Sequence, residues 1–472
     1  MASIDGQGTG YDARAHPRGL YVLCGAEACE RFSYFGMQTL LVLYMTHDLL
    51  LPGRSEHVIG FAALRNAIES VTGPLSATAL ASQVFGLYAG FVYLTPLLGG
   101  MLADRWLGRT VTVTTGALLM VAGHFLMALD AAFVVAMLLL LAGVGCFKGN
   151  IATQVGELYA RGDPRRAQAF LLFQIAIELS VIVSPLVCGT LGERIGWHWG
   201  FGAAGVSMLA GLAVYRFGRP WLPAATARTG RVGRAQRLSP REWKTVLLLV
   251  ALLPLIAAAM IGNQQMFNVY VIWGEARLAI DLWGWRMPVT WLLAIDAVVA
   301  VLMTLATLAF WRWWSRRRRE PDEIVKIAIG AAVMAVAPLL LVAGEWTTAA
   351  GGRIPLLWAV GFHVVNELGF AMIAPIGLAL FSRAAPTRLA GVMMGLYYTN
   401  FFLCNITVGR LGGLLESMRG ADFWLLHAAI VGAAAALLAL FAVTARALLA
   451  PIDEAPVRSG AIKTVTGSLT PV

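Results

Sequence analysis

Charge is scarce in this chain: of its 472 residues only 13% are Asp, Glu, Lys or Arg, while 58% are hydrophobic. A soluble domain of that composition would expose large apolar patches, so a soluble enzyme or binding module is excluded. Cysteine is sparse as well. Cys24, Cys29, Cys146, Cys188 and Cys404 all lie within apolar runs, with no disulfide framework and no CxxC metal spacing. No H-E-x-x-H stands in the sequence, and no G-x-S-x-G stands in a catalytic setting. His47, His57, His124, His198, His363 and His427 are scattered rather than set at ligand spacing, and packing or interface roles are expected for most of them. These absences argue against an integral membrane enzyme and against any metal or cofactor. The stretch from Met1 to Arg18 is polar and lacks the apolar core of a cleavable signal, so the first span is expected to serve as its own insertion signal.

What the chain has instead is apolar length. The mean hydropathy is +0.72, and many runs reach the roughly 20 residues needed to cross a bilayer. Twelve spans are expected, near 20–47, 78–103, 109–129, 132–158, 167–190, 198–218, 244–273, 288–312, 324–345, 354–382, 387–415 and 422–448. The segment 55–75 is too polar to span and reads as a loop with a short surface helix. The net charge of +10 would suit a nucleic-acid partner, but its distribution opposes one. Basic residues crowd alternate loops: Arg105 and Arg109; Arg161, Arg165 and Arg166; the run from Arg216 to Lys244; and Arg312, Arg316–Arg319 and Lys326. The other loops carry few. By the positive-inside rule both termini are expected in the cytoplasm of a multi-pass inner-membrane protein. The expected organisation is a cytoplasmic segment 1–19, a six-helix bundle 20–219, a basic linker 220–243, a second six-helix bundle 244–450 and a cytoplasmic tail 451–472. The linker could also touch anionic lipid. The fold class is all-α integral membrane, two six-helix halves in the layout of the major facilitator superfamily, whose halves rock around a site near the midplane.

Within the first span, Glu27, Glu30, Arg31 and Tyr34 fall at i, i+3, i+4 and i+7 and share one helix face. A charged side chain at the bilayer centre costs roughly 2.5–3.5 kcal/mol on insertion scales. Such residues must face a bundle interior or a wet cavity, either as a structural ion pair or as a relay for protons and substrate. Between the second and third spans, Gly99-Gly100-Met101-Leu102-Ala103-Asp104-Arg105-Trp106-Leu107-Gly108-Arg109 reads as a gate latch, with Asp104 pairing to Arg105 or Arg109 rather than binding substrate.

Several stretches, in order, resemble the proton-dependent oligopeptide transporter family: Glu27–Gly36; Phe91–Gly100 running into Asp104-Arg105; Phe147-Lys148-Gly149-Asn150-Ile151; Gly156-Glu157-Leu158-Tyr159; Gly196–Gly202; Asn366-Glu367-Leu368; Ala374–Leu378; Ala384-Ala385-Pro386; and Met393-Met394-Gly395. The resemblance implies proton-driven import of di- and tripeptides or peptide-like solutes. By position it assigns proton coupling to Glu27, Glu30, Arg31 and Lys148, the peptide carboxylate to Lys148, the amino terminus to Glu367 and a pocket role to Tyr34. A zwitterion needs a basic and an acidic pole, and Lys148 and Glu367 lie in opposite halves. The chain departs from the family pattern at Phe35, Gln38, Glu178, Asn263, Asp296 and Tyr397, where tyrosine, arginine, asparagine, glutamate, asparagine and tryptophan are usual, and it lacks the two extra helices between the halves. Gln38, Glu178, Asn263, Asp296 and Tyr397 join the expected substrate-binding set. Five interior acids, Glu27, Glu30, Glu178, Asp296 and Glu367, face two bases, Arg31 and Lys148. That balance leaves room for a cationic peptide or for a non-peptide organic solute, imported or exported.

Overall fold

The computed structural model describes residues 15–160, 163–223, 238–282, 284–349, 351–386 and 389–445. The expected tail 451–472, most of the linker and the first fourteen residues lie outside that set. The first half of the chain contains α1 (Arg18–Tyr44), α2 (Phe61–Thr72), α3 (Ala77–Leu102), α4 (Arg109–Leu126), α5 (Phe133–Glu157), α6 (Arg165–Ser184), α7 (Thr190–Arg194) and α8 (Trp197–Phe217). After the linker come α9 (Pro240–Ala259), α10 (Ile261–Gln265), α11 (Val269–Arg277), α12 (Trp291–Ser315), α13 (Glu323–Thr347), α14 (Leu356–Ala384), α15 (Ala390–Tyr397), α16 (Thr399–Gly412) and α17 (Gly420–Thr444). A two-residue hairpin, β1 (Asp281–Leu282) and β2 (Trp285–Arg286), precedes α12.

Among the described residues, nine helical segments are long and apolar enough to cross a membrane. The other three expected spans fall short for identifiable reasons. α1 carries Glu27, Glu30 and Arg31 within one stretch. α4 has only eighteen residues and includes His124 and four threonines. The eleventh span is broken at Tyr398 into the short helices α15 and α16. The seventh span, expected as one helix, is three pieces, interrupted at Met260 and again at Met266–Asn268. Its amides Asn263, Gln264 and Asn268 find partners on other helices. The loop helix α2 is where it was expected and buries only Phe61 and Ile68.

Local chemistry explains several starts. Ser239 and Glu242 form a reciprocal capping box ahead of α9, with Pro240 at the first helical position. Ser76 accepts from the Ala79 amide to open α3. Pro185 interrupts the sixth of these helices, and the chain passes through a π-helical turn, Pro185–Gly189, into α7.

Apolar packing gathers into three clusters: the buried members of one all come from the first half of the chain, and those of the other two from the second half apart from Leu43. The two halves meet closely at the end opposite the basic loops. There Gly86 of α3 lies against Asn405 and Gly409 of α16, and a methyl group added to Gly86 would stand 2.5 Å from the Asn405 carbonyl and 2.7 Å from the Gly409 Cα.

Candidate functional site

A cavity of about 660 Å³ opens between the halves, lined by Glu27, Arg31, Phe35, Tyr93, Lys148 and Tyr398 among others. Its lining comes from the middle of α1, the basic-loop ends of α3, α5 and α6, and Gly395 and Tyr398 in and just after α15. The glutamates and arginine of α1 form one knot. Arg31 Nε donates to Glu27 Oε1 at 2.9 Å and lies 2.8 Å from Glu30 Oε2. The second contact misses hydrogen-bond alignment, and both Glu30 oxygens and Arg31 Nη2 lack hydrogen-bond partners. Glu30 is fully buried, so this is a strained competition of two carboxylates for one N–H. Lys148 has no carboxylate within ion-pairing distance among the described residues. Its Nζ sits over the rings of Tyr93, 4.7 Å away, and Tyr34, 6.0 Å away. A lysine nitrogen held by aromatic faces at a cavity wall, with no carboxylate bonded to it, is placed to meet an incoming anion. Tyr34, though buried, touches this group rather than lining the cavity.

The acidic pole is built differently from the sequence-based expectation. Asp296 and Glu367, expected as separate substrate contacts, are each tied into a polar network that runs through α14, Asp296 by way of His363 and Glu367 from its own position on that helix. Both are buried. Glu367 Oε1 accepts from Asn263 Nδ2 at 2.7 Å and from Asn366 Nδ2 at 3.1 Å. Asp296 Oδ1 is 2.8 Å from His363 Nδ1, and His363 Nε2 is 3.0 Å from the Tyr270 hydroxyl. The network continues from Asn263 to Gln264 and Asn405. His363 and Asn366 were not expected here. Their signal was present, since His363, Asn366 and Glu367 stand at i, i+3 and i+4 on one helix. None of Asn263, Asp296 or Glu367 lines the cavity in this conformation.

Three other expected contacts also stand off from it. Gln38 is buried, and its Oε1 lacks a partner. Tyr397 turns its hydroxyl to the Ala374 carbonyl at 2.8 Å, and its neighbour Tyr398 faces the cavity instead. Glu178 accepts from Gln174 at 2.6 Å, and it is Gln174 that reaches the cavity lining.

The latch region holds together one half only. Arg109 pairs with Asp104, 3.1 Å from Nη2 to Oδ1, and with Glu157 of α5, which was not expected in the latch. Arg105 is exposed and has no ionic partner among the described residues. Contacts between the halves lie at the other end. The Glu193 carboxylate of α7 accepts from the Val289 and Thr290 amides, both at 2.9 Å, and from the Thr290 hydroxyl at 2.6 Å. It thereby caps the N-terminus of α12 in the opposite half. Trp291 Nε1 donates to Thr190 Oγ1 at 2.8 Å, Asn268 donates to Ser82 at 2.7 Å, and His47 meets Glu275 at 3.3 Å. Removing the Glu193 acceptor strands buried donors, a cost of roughly 1–3 kcal/mol. Glu193→Ala is therefore expected to open this end. Spin labels on the exposed positions Ile195 and Arg286 should move apart in the variant, and an unchanged distance distribution removes Glu193 from the closure.

Paired helical bundles around a central cavity with charged groups on its walls define a multi-pass membrane transporter of the major facilitator type. More narrowly, residues 110–233 and 232–421 match the family model described as the POT family, and the chain belongs to that family. It is 29% identical over 474 residues to the peptide transporter YePEPT of Yersinia enterocolitica, covering 85% of this chain and 88% of that one. It is 25% identical over 455 residues to a di-/tripeptide transporter of Lactococcus lactis subsp. cremoris, covering 81% and 86%. A crystal structure of a peptide transporter POT in complex with sulfate superposes with a TM-score of 0.79 at 22% identity, covering 90% of this chain and 94% of that one.

Proposed function

We propose that this protein is a proton-coupled symporter that imports di- and tripeptides or peptide-like solutes by alternating access, and that it performs no catalysis. The observation that carries the reading is the cavity wall itself: an uncommitted ammonium, Lys148, stands beside a knot of two carboxylates sharing one guanidinium. Relatives whose names describe peptide transport, and a similar structure holding alafosfalin, support the same substrate class. On this reading the basic loops face the cytoplasm of the inner membrane, both termini lie there, and the structure is inward-facing, its far end closed by the Glu193 cap. Two six-helix halves joined by the basic linker rock about the cavity, and the Asp104–Arg109–Glu157 clasp stiffens one of them. Lys148 takes the peptide carboxylate. Glu367 takes the amino terminus once the halves move toward each other. The test is uptake into proteoliposomes of a mixed dipeptide panel under an imposed inward proton gradient. Accumulation that needs the gradient supports the reading, and absence of any peptide uptake removes it.

A second reading, transport of a cationic solute, is favoured by one observation. Glu178 adds an acid one turn beyond Gln174, which lines the cavity. If Glu178 is ionised on the substrate path, Ala-Lys should compete for uptake better than Ala-Glu, and Glu178→Asn should narrow the gap. Equal competition by both peptides, with the ranking unchanged in the variant, would dismiss a cationic preference.

A further inference from the structure

The outer wall of the second half carries a groove that stands apart from the transport cavity. It runs between α13 and α17, neither of which lines that cavity. Its volume is about 590 Å³, and its walls include Val325, Ala332 and Ala335 of α13 and Gly432, Ala439 and Val443 of α17. Every lining side chain is apolar, and none is larger than isoleucine. Beyond Ala335 the exposed face of α13 turns bulky, with Val336 and Leu339. From Val325 to Ala335 the helix climbs about 15 Å at roughly 1.5 Å per residue, about half of a hydrocarbon core roughly 30 Å thick. The groove therefore spans one leaflet, the one on the side of the basic loops.

The mouth of the groove is basic. Lys326, next to Val325, pairs with Glu320 and lies 4.8 Å from the centre of the Trp311 ring. That pairing brings the adjoining run Arg316–Arg319 to the start of α13. All four arginines are exposed, and none has a carboxylate partner among the described residues. Arg317 and Arg318 lie over the rings of Trp313 and Trp314, at 4.6 and 5.4 Å. Indoles collect at the headgroup level of a bilayer, so these guanidiniums stand at the depth of the lipid phosphates. We infer that the groove binds one anionic phospholipid of that leaflet, an acyl chain lying between α13 and α17 and the phosphate among Arg316–Arg319. A second copy of the chain is the other occupant to weigh, since small residues allow close helix approach. Two observations favour the lipid. The groove ends half-way across the membrane, which is the reach of one acyl chain. Two copies related by an axis normal to the membrane would also bring their arginine runs together at the same end, like charge against like.

The test is native mass spectrometry of the full-length protein, released from micelles supplied with equal phosphatidylglycerol and phosphatidylcholine. Wild type should retain one phosphatidylglycerol per chain and little phosphatidylcholine. Ala332→Leu combined with Ala439→Leu fills the groove and should abolish that retention. Replacing Arg316, Arg317, Arg318 and Arg319 by glutamine leaves the groove open, so one lipid should still bind, with the two headgroups retained equally. The arginine variant leaves the groove walls untouched, so its result holds even if the leucine pair disturbs folding. Glycerol 3-phosphate carries the anion without the chains and should not displace the lipid; displacement by it would overturn the role of the groove. No headgroup preference in the wild type, or retention unchanged in both variants, overturns the site. A wild-type dimer that the leucine pair splits into monomers still carrying lipid would give the groove to a second copy and overturn the lipid. Retention is read without any transport, so the result stands apart from the symport reading.

Discussion

Glu30→Gln is expected to abolish gradient-driven accumulation while leaving exchange of substrate across the membrane largely intact. The reason lies in the sharing of one N–H. Arg31 Nε is 2.9 Å from Glu27 and 2.8 Å from Glu30, and Glu30 is fully buried. With both acids ionised, two negative charges face Arg31 and Lys148, and the wall of the cavity is neutral. A proton on Glu30 leaves the wall with one net positive charge. It also frees Arg31 to settle on Glu27 alone. That state attracts a carboxylate, so proton binding and substrate binding reinforce each other. Glutamine keeps the volume and fixes the cluster in the protonated charge state, so binding survives and coupling is lost. The measurement is peptide accumulation against counterflow in the same liposomes. Undiminished pH-driven accumulation in Glu30→Gln would take Glu30 out of the coupling step.

Losing either pole should be nearly as severe. Truncating one partner of a desolvated, hydrogen-bonded charge pair costs about 2–5 kcal/mol, or roughly thirty-fold to a few thousand-fold in affinity at about 1.4 kcal/mol per decade. Lys148→Ala should reduce peptide affinity within that range for every peptide with a free carboxylate, because no other described cation lines the cavity unpaired. Glu367→Ala should act selectively, weakening free peptides and sparing those with an acetylated amino terminus. In the wild type, a free peptide should therefore compete far better than its N-acetylated form. Equal competition would show that the amino terminus is read elsewhere.

The α1 knot was legible from spacing because i, i+3 and i+4 residues on one helix must meet, whatever surrounds them. The expected spans 78–103 and 132–158 fall within a few residues of α3 and α5 because apolar length alone marks them. The broken seventh and eleventh spans were read as continuous. Hydropathy counts side chains, whereas the breaks depend on partners such as Gln264 with Asn405 that come from distant parts of the chain. The same limit hid the Asp296–Glu367–His363 cluster. Its members lie on α12 and α14, and no periodicity links residues 67 positions apart. Tyr397 and Tyr398 show how fine the margin is: adjacent in sequence, one bonds a backbone carbonyl and the other faces the cavity.

The closure by Glu193 has a genetic consequence. Two of the three groups it holds are main-chain amides, Val289 and Thr290, at the start of α12. Amides are present whatever side chain is encoded there. A defect caused by Glu193→Lys therefore has no charge-swapped suppressor at 289 or 290, since an acid introduced at either position would leave the amides pointing at a cation. Revertants should instead restore an acceptor on α7, or should arise far away, at positions that make the opposite end of the molecule harder to close and so rebalance the cycle without repairing the lost bond.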